Sequence, residues 1–420
     1  MLGISKTNPS LEHRLLTRIH RSKHQWLRFA MAVMIVWGPP ALFAQTFDAF
    51  VQSEIESRAS VVPGAAVAII ENGGAPWVKV FGVTRLGTDQ PVTPHSAFQL
   101  ASISKTFAGV ALAMAADAGS LSLDEPVQSV LTDLRFADDS RGRLINMRHV
   151  VSQSTGLLPH SYTNLIEDRM SYPSIIKKLA KAPFICAPGN CYSYQNVVFS
   201  LVGDAIQERT GQSYADYVRQ KIFIPLRMPD AWVGLATDQE REDRVLVTPH
   251  VKTKNGWRVA KPNERYYKVL PAAGVNASIS DMARWLAAIL GESTVISPDL
   301  LGQVTERVVS YRKRQGHYPS DAPITDLGYA MGFRTFSYRT LPGFLHHGGY
   351  IRGMRSELIA HPRSRSGLVF LTNAEPDKLN RLSLAFADYV YNQSLVGQHL
   401  GMGGGDETGA LQLSARVSSE

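Results

Sequence analysis

A chain of 420 residues, 44% hydrophobic and 19% charged with 33 Gly and 23 Pro, has the composition of an ordinary globular protein. Disordered, collagen-like and multi-span membrane classes are excluded, and the length suggests two domains or one domain with a large insertion. The formal charge of +8 is unevenly spread. Residues 1–44 hold six of the 44 basic residues (Lys6, Arg14, Arg18, Arg21, Lys23, Arg28) and one of the 36 acidic ones (Glu12), leaving 38 bases against 35 acids elsewhere. A body so nearly balanced is not a nucleic-acid binder.

The basic stretch runs into the apolar segment Phe29 to Trp37, then Gly38-Pro39-Pro40, then Ala41-Leu42-Phe43-Ala44 before Gln45. Charged region, short apolar region, helix breaker and small residue make the layout of a secretory signal over residues 1–44. An uncleaved inner-membrane anchor is the other reading, although Pro39-Pro40 interrupts the run well short of the ~20 residues a spanning helix needs. The expectation is an exported, periplasmic or secreted protein with no stable span after cleavage. Export makes a disulfide the natural state of the two cysteines. Cys186 and Cys191 enclose Ala187-Pro188-Gly189-Asn190, a turn sequence that lets their side chains meet.

Along the body, an amphipathic stretch (Phe47, Phe50, Val51, Ile55) precedes two strand-like runs, Gly64–Ile70 and Trp77–Val83, joined by the hairpin turn Glu71-Asn72-Gly73-Gly74. Ser102 to about Asp117 is nearly all apolar and ends at Ala118-Gly119, a buried helix with a glycine cap. Residues 120–290 read as mainly helical, with segments Ile145–Val151, Tyr172–Ala182, Val197–Arg209 and Ile279–Leu290. Strand signals return at Gly328–Arg334, Phe344–His346, Ser356–His361 and Gly367–Thr372, followed by an apolar helix from about Leu382 to Tyr391. This order predicts an α/β (α+β) fold: an antiparallel sheet flanked by helices, built by residues 45–120 and 291–395 around a helical domain at 121–290. Residues 396–420 read as a flexible tail.

Serine followed three residues later by lysine places an amine beside a hydroxyl on one helical face. The chain has three such pairs. Ser174/Lys177 and Ser310/Lys313 lie among further bases, whereas Ser102 opens an apolar helix in which Lys105 is costly unless it has a partner or a task. Tyr-x-Asn occurs twice. Tyr162-Thr163-Asn164 sits in a polar loop, while Tyr194-Gln195-Asn196 lies between the cysteine turn and a buried run, a better platform for a proton shuttle. A third cluster, His346-His347-Gly348-Gly349, follows a strand; adjacent histidines there point to opposite faces and cannot chelate one metal. No His-Glu-x-x-His segment or Gly-x-Ser-x-Gly elbow occurs.

Ser102-Ile103-Ser104-Lys105, Tyr194-Gln195-Asn196 and His346-His347-Gly348 appear in that order. Over roughly residues 46–395 the chain resembles the serine β-lactamase and penicillin-binding-protein superfamily, most of all class C β-lactamases and related DD-peptidases and esterases. Leu100–Phe107, Met147–Leu157 and Ala187-Pro188-Gly189 support the likeness. The resemblance implies an active site between an α/β and a helical domain. It makes Ser102 the acylated nucleophile, and Lys105 and Tyr194 the groups that handle its proton, with the identity of the base left open. Asn196 would hydrogen-bond the substrate, and the amides of Ser102 and Gly349 would form the oxyanion hole. His346 takes the place where class C enzymes usually carry the lysine that helps receive a substrate carboxylate, and His347 that of a hydroxyl residue. Arg352 and Arg355 stand near enough in sequence to replace the charge.

The expected protein is a monomeric serine hydrolase without metal or cofactor, acting through an acyl-enzyme on a β-lactam or D-Ala-type peptide. A carboxylesterase using the same serine and a non-catalytic periplasmic binding module of the same fold are the alternatives.

Overall fold

A computed structural model describes residues 45–168, 170–237, 244–312, 318–376 and 379–402. The leader expected over 1–44 and residues 403–420 of the expected tail lie outside these described residues.

Thirteen strands can be named among them: β1 (Gly64–Ile70), β2 (Trp77–Gly82), β3 (Ala97–Gln99), β4 (Trp232–Val233), β5 (His250–Thr253), β6 (Gly256–Val259), β7 (Val275–Ser278), β8 (Val309–Ser310), β9 (Ile324–Tyr329), β10 (Arg334–Tyr338), β11 (Leu341–Ile351), β12 (Met354–His361) and β13 (Ser366–Thr372). Eight of them form one antiparallel sheet in the order β2-β1-β13-β12-β11-β10-β9-β8, so the two ends of the chain meet where β1 pairs with β13. The β1–β2 turn has Asn72 and Gly73 at φ 50° and 71°, the paired left-handed residues of a tight hairpin.

Four helices frame this sheet and the site: α1 (Ser104–Asp117), α2 (Leu201–Thr210), α3 (Ile279–Ile289) and α4 (Asn380–Met402). Every residue of β1 is buried because both faces of the sheet are covered. Ala66, Ala68 and Ile70 join the core formed with α1 and α3, whereas Ala65, Val67 and Ile69 join a second core with Phe50 and Phe386. A strand buried on both sides reads as a continuous apolar run, as this one does. Phe107 of α1 stacks on Trp285 of α3 with ring centroids 4.0 Å apart, tying the two helices together.

Two elements differ from the sequence expectation. The run Gly328–Arg334 is not one strand: β9 ends at Tyr329, and the chain turns through Ala330–Phe333 before β10 begins at Arg334. Gly332, at φ 84°, makes that turn possible and lies so close to α1 that a Cβ there would stand 2.1 Å from the Lys105 carbonyl oxygen. Apolar composition concealed the turn because its residues are buried against α1. The last helix also continues to Met402, past the point where the tail was expected to begin.

Within 121–290, short strands accompany the helices. β7 pairs with β3 on one side and β4 on the other, forming a small three-stranded sheet just ahead of Ser102. Every residue of β3 and β7 is buried, so neither shows alternation. Among the described residues no helix is long and apolar enough to cross a membrane.

Candidate active site

Ser102 lies in a single 3-10 turn, Ala101–Ile103, that leads from β3 into α1. Ala101 holds φ 48°, an uncommon conformation for a residue with a Cβ, which costs on the order of 1 kcal/mol and is kept only where the surroundings enforce it. They do so from both sides. Ser104 Oγ accepts from the Val275 amide of β7 at 2.9 Å, and Ser356 Oγ of β12 donates to the Leu100 carbonyl at 2.9 Å. β11 presses on the same turn: a Cβ on Gly349 would sit 2.2 Å from the Leu100 oxygen, so only glycine lets the strand backbone come this near to Ser102.

Lys105, one turn along α1, is fully buried. Its Nζ lies 2.8 Å from Asn196 Oδ1, 2.9 Å from the Ala272 carbonyl and 3.4 Å from Ser102 Oγ, and 4.7 Å from the centroid of the Tyr194 ring. Burial, and after it the Arg334 guanidinium, hold the amine well below the ordinary lysine pKa. A neutral amine has two N–H bonds and one lone pair. Asn196 and Ala272 accept the two hydrogens, which leaves the lone pair for the Ser102 hydroxyl.

Tyr194 completes the cluster from the loop that follows the Cys186–Cys191 disulfide, whose Cα atoms are 6.3 Å apart. Its ring lies beside the Lys105 amine; burial pushes the hydroxyl's pKa up strongly, while Arg334 and the neighbouring Ser102 hydroxyl pull the other way. The loop is latched by Gln153, a buried residue at φ 60°. Gln153 accepts from the Gln195 amide through Oε1 at 2.6 Å, donates to the Gln195 carbonyl through Nε2 at 3.1 Å, and accepts from the Ser193 amide through its own carbonyl at 2.7 Å.

The two histidines separate, as neighbours on a strand must. His347 turns toward the cluster, with its ring 6.3 Å from that of Tyr194, Nε2 3.1 Å from the Tyr329 hydroxyl and Nδ1 2.9 Å from the Gly348 carbonyl. Burial, and after it the charge of Arg334, keep its imidazole well below the usual pKa and therefore neutral near pH 7. His346 is not brought to Ser102. Its fully buried ring bridges Glu357 Oε2 at 2.8 Å and the Tyr318 hydroxyl at 2.8 Å, and Glu357 in turn accepts from Ser383 of α4 at 3.0 Å. His346→Asn is therefore expected to destabilise the fold by roughly 1–3 kcal/mol, since it leaves Glu357 buried with a poorer partner. Denaturant unfolding should show that loss with kcat/KM changed by less than about threefold; lost turnover at full stability would return His346 to the site.

Arg334, at the start of β10, was not singled out in the sequence. It is more than nine-tenths buried, donates from Nη1 to the Tyr192 hydroxyl at 2.7 Å and lies 5.2 Å from the Tyr194 ring centroid. It forms no ion pair with a carboxylate among the described residues, and its Nε has no hydrogen-bond partner there. A lone charge in the otherwise uncharged run Tyr329 to Phe336 was the available signal. Gln153 gave a similar one, as a polar residue between two others in a buried phrase. Neither Arg352 nor Arg355 packs into the Lys105–Tyr194 cluster as Arg334 does: Arg352 is exposed, and Arg355 lies 5.5 Å from the ring centroid of Tyr350.

Residues 43–390 match the family model described as Beta-lactamase, and the chain belongs to that family, within the serine β-lactamase and penicillin-binding-protein superfamily. Protein flp of Staphylococcus aureus (strain MW2) is 22% identical over 80% of this chain and 64% of its own length, so the chain spans less than two thirds of that relative. A Beta-lactamase of Escherichia coli (strain K12) is 28% identical over 54% of this chain and 57% of its own. The fold is shared with the class C beta lactamase of Rhodobacter sphaeroides (TM-score 0.63, 23% identity, 84% and 99% coverage). It is shared equally with an octameric penicillin-binding protein homologue from Pyrococcus abyssi (TM-score 0.67, 22% identity, 83% and 76% coverage).

Proposed function

We propose that this chain is an exported serine hydrolase that works through an acyl-enzyme on Ser102, with Lys105 as the resident base. The observation that carries the reading is the Lys105 amine, buried, with acceptors for two hydrogens and a third contact to Ser102 Oγ. Lys105 takes the Ser102 proton as Oγ bonds to the substrate carbonyl carbon. The amides of Ser102 and Gly349 receive the developing oxyanion. Tyr194 passes the proton to the leaving nitrogen or oxygen as its bond to the carbonyl breaks, and Asn196 orients the acyl group. Water then releases the acyl group with the same residues reversing their parts.

The preferred substrates are β-lactams or D-Ala-type peptides. A carboxylesterase using the same residues is favoured by one observation: His347, nearest the place of the family lysine, is neutral and offers no charge to a substrate carboxylate. Nitrocefin, a fluorescent penicillin and simple esters separate the two. Covalent penicillin labelling supports the first, whereas ester turnover with no penicillin adduct overturns it.

Arg334 supplies the fixed positive charge of this site. Its removal in Arg334→Met should raise the pKa of both Lys105 and Tyr194, moving the ascending limb of kcat/KM to higher pH, whereas Arg334→Lys should leave the limb near its original place. A limb unmoved in Arg334→Met would show that the guanidinium is not coupled to the base.

A further inference from the structure

A cavity of about 430 Å³ opens one residue beyond Gly349 along β11, and Tyr350, Arg352, Tyr266, Glu167 and Glu375 line it. That volume lies in the range of small-molecule sites. It adjoins the candidate active site through β11, where Tyr350 follows Gly349 directly, and Tyr266 enters its wall from the 3-10 turn Glu264–Lys268.

The two tyrosines are built alike. Each stands in the cavity wall together with a carboxylate residue, Tyr266 with Glu167 and Tyr350 with Glu375. A tyrosine ring has only two side-chain torsions to fix, so each gives up little rotamer freedom on binding. Tyr350 is nevertheless 54% exposed, an unusual state for a large aromatic beside a buried catalytic cluster. The carboxylates are already engaged. Glu375 accepts from the Gly353 amide, and Glu167 pairs with Arg265 at 3.6 Å. With Arg352 also in the wall, the cavity offers aromatic surface without a net charge to match.

We propose that the cavity bounded by Tyr266 and Tyr350 is a substrate subsite that takes a neutral, planar aromatic group and gives the enzyme a preference for substrates that carry one. This rests on the hydrolase reading and adds a substrate class to it.

The test uses three esters: trifluoroethyl acetate, trifluoroethyl phenylacetate and phenyl acetate, which carry no ring, a ring in the acyl part and a ring in the leaving group. Aromatic packing contributes about three- to tenfold per ring pair. In Tyr350→Ala, kcat/KM for one of the ring-bearing esters, divided by that for trifluoroethyl acetate, should fall about tenfold, and Tyr350→Phe should restore the ratio. Which ester responds tells whether the acyl or the leaving-group ring is held. Equal loss, or no loss, for all three esters overturns the subsite. Binding decides the matter apart from turnover: phenylacetamide titrated into Ser102→Ala should bind about three- to tenfold more tightly than into Ser102→Ala/Tyr350→Ala. Equal affinities overturn the subsite even if the wild-type chain hydrolyses nothing, an outcome that would separately overturn the hydrolase reading.

Discussion

Ser102→Ala is expected to abolish turnover, a loss on the order of 10⁶ in kcat for an enzyme whose chemistry runs through one nucleophile. The fold should survive. Lys105 keeps its bonds to Asn196 and Ala272, and the turn that carries residue 102 is held by Ser104 and Ser356 and not by the Ser102 hydroxyl. One partly exposed hydroxyl is worth about 1 kcal/mol at most in this setting. Steady-state kinetics and thermal unfolding measured on the same preparation check both halves. Turnover within about tenfold of the original would place the nucleophile elsewhere.

Lys105→Ala and Tyr194→Phe should each lower kcat/KM by about 10²–10⁴-fold. The double variant should be little worse than either single one, because groups that move one proton do not contribute independently. Lys105→Ala also leaves Asn196 Oδ1 and the Ala272 carbonyl without a donor, so its stability should fall by roughly 1–3 kcal/mol. Tyr194→Phe removes one oxygen atom and keeps the ring over Lys105, which separates a chemical effect from a collapsed site. The pH dependence has a definite sign. Protonated Lys105 cannot accept the serine proton, so activity rises as pH increases through its depressed pKa and levels off well below the ordinary value of 10.5. An acid limb that follows the ordinary lysine value would contradict the buried, Arg334-opposed amine.

Much of the sheet was legible in the sequence because its strands are apolar runs bounded by turn residues, and the Asn72-Gly73 hairpin announces itself by residue type. The three-stranded sheet of β3, β4 and β7 was not, since full burial removes the alternation that marks a strand. Ser102, Lys105, Tyr194 and Asn196 could be picked out because a lysine in an apolar helix and a Tyr-x-Asn beside a cysteine turn are expensive arrangements, and the structure brings the four together. Which of two adjacent histidines faces the cluster depends on strand register, which the pairing of β11 with β10 and β12 fixes. Arg334 reaches the cluster from β10, 140 positions from Tyr194, through a turn that the sequence had hidden inside a strand. Long-range placement of that kind leaves only a local trace: one cation where the surrounding residues are all buried.

The most direct measurement is intact-mass spectrometry of the wild-type chain after brief exposure to benzylpenicillin and, separately, to an acyl-donating ester, followed by peptide mapping. Acylation on Ser102, absent from Ser102→Ala and slowed in Tyr194→Phe, is the predicted result. No adduct with any acylating probe, or an adduct on another residue, would contradict a nucleophilic serine at this site and leave the family fold in the service of binding alone.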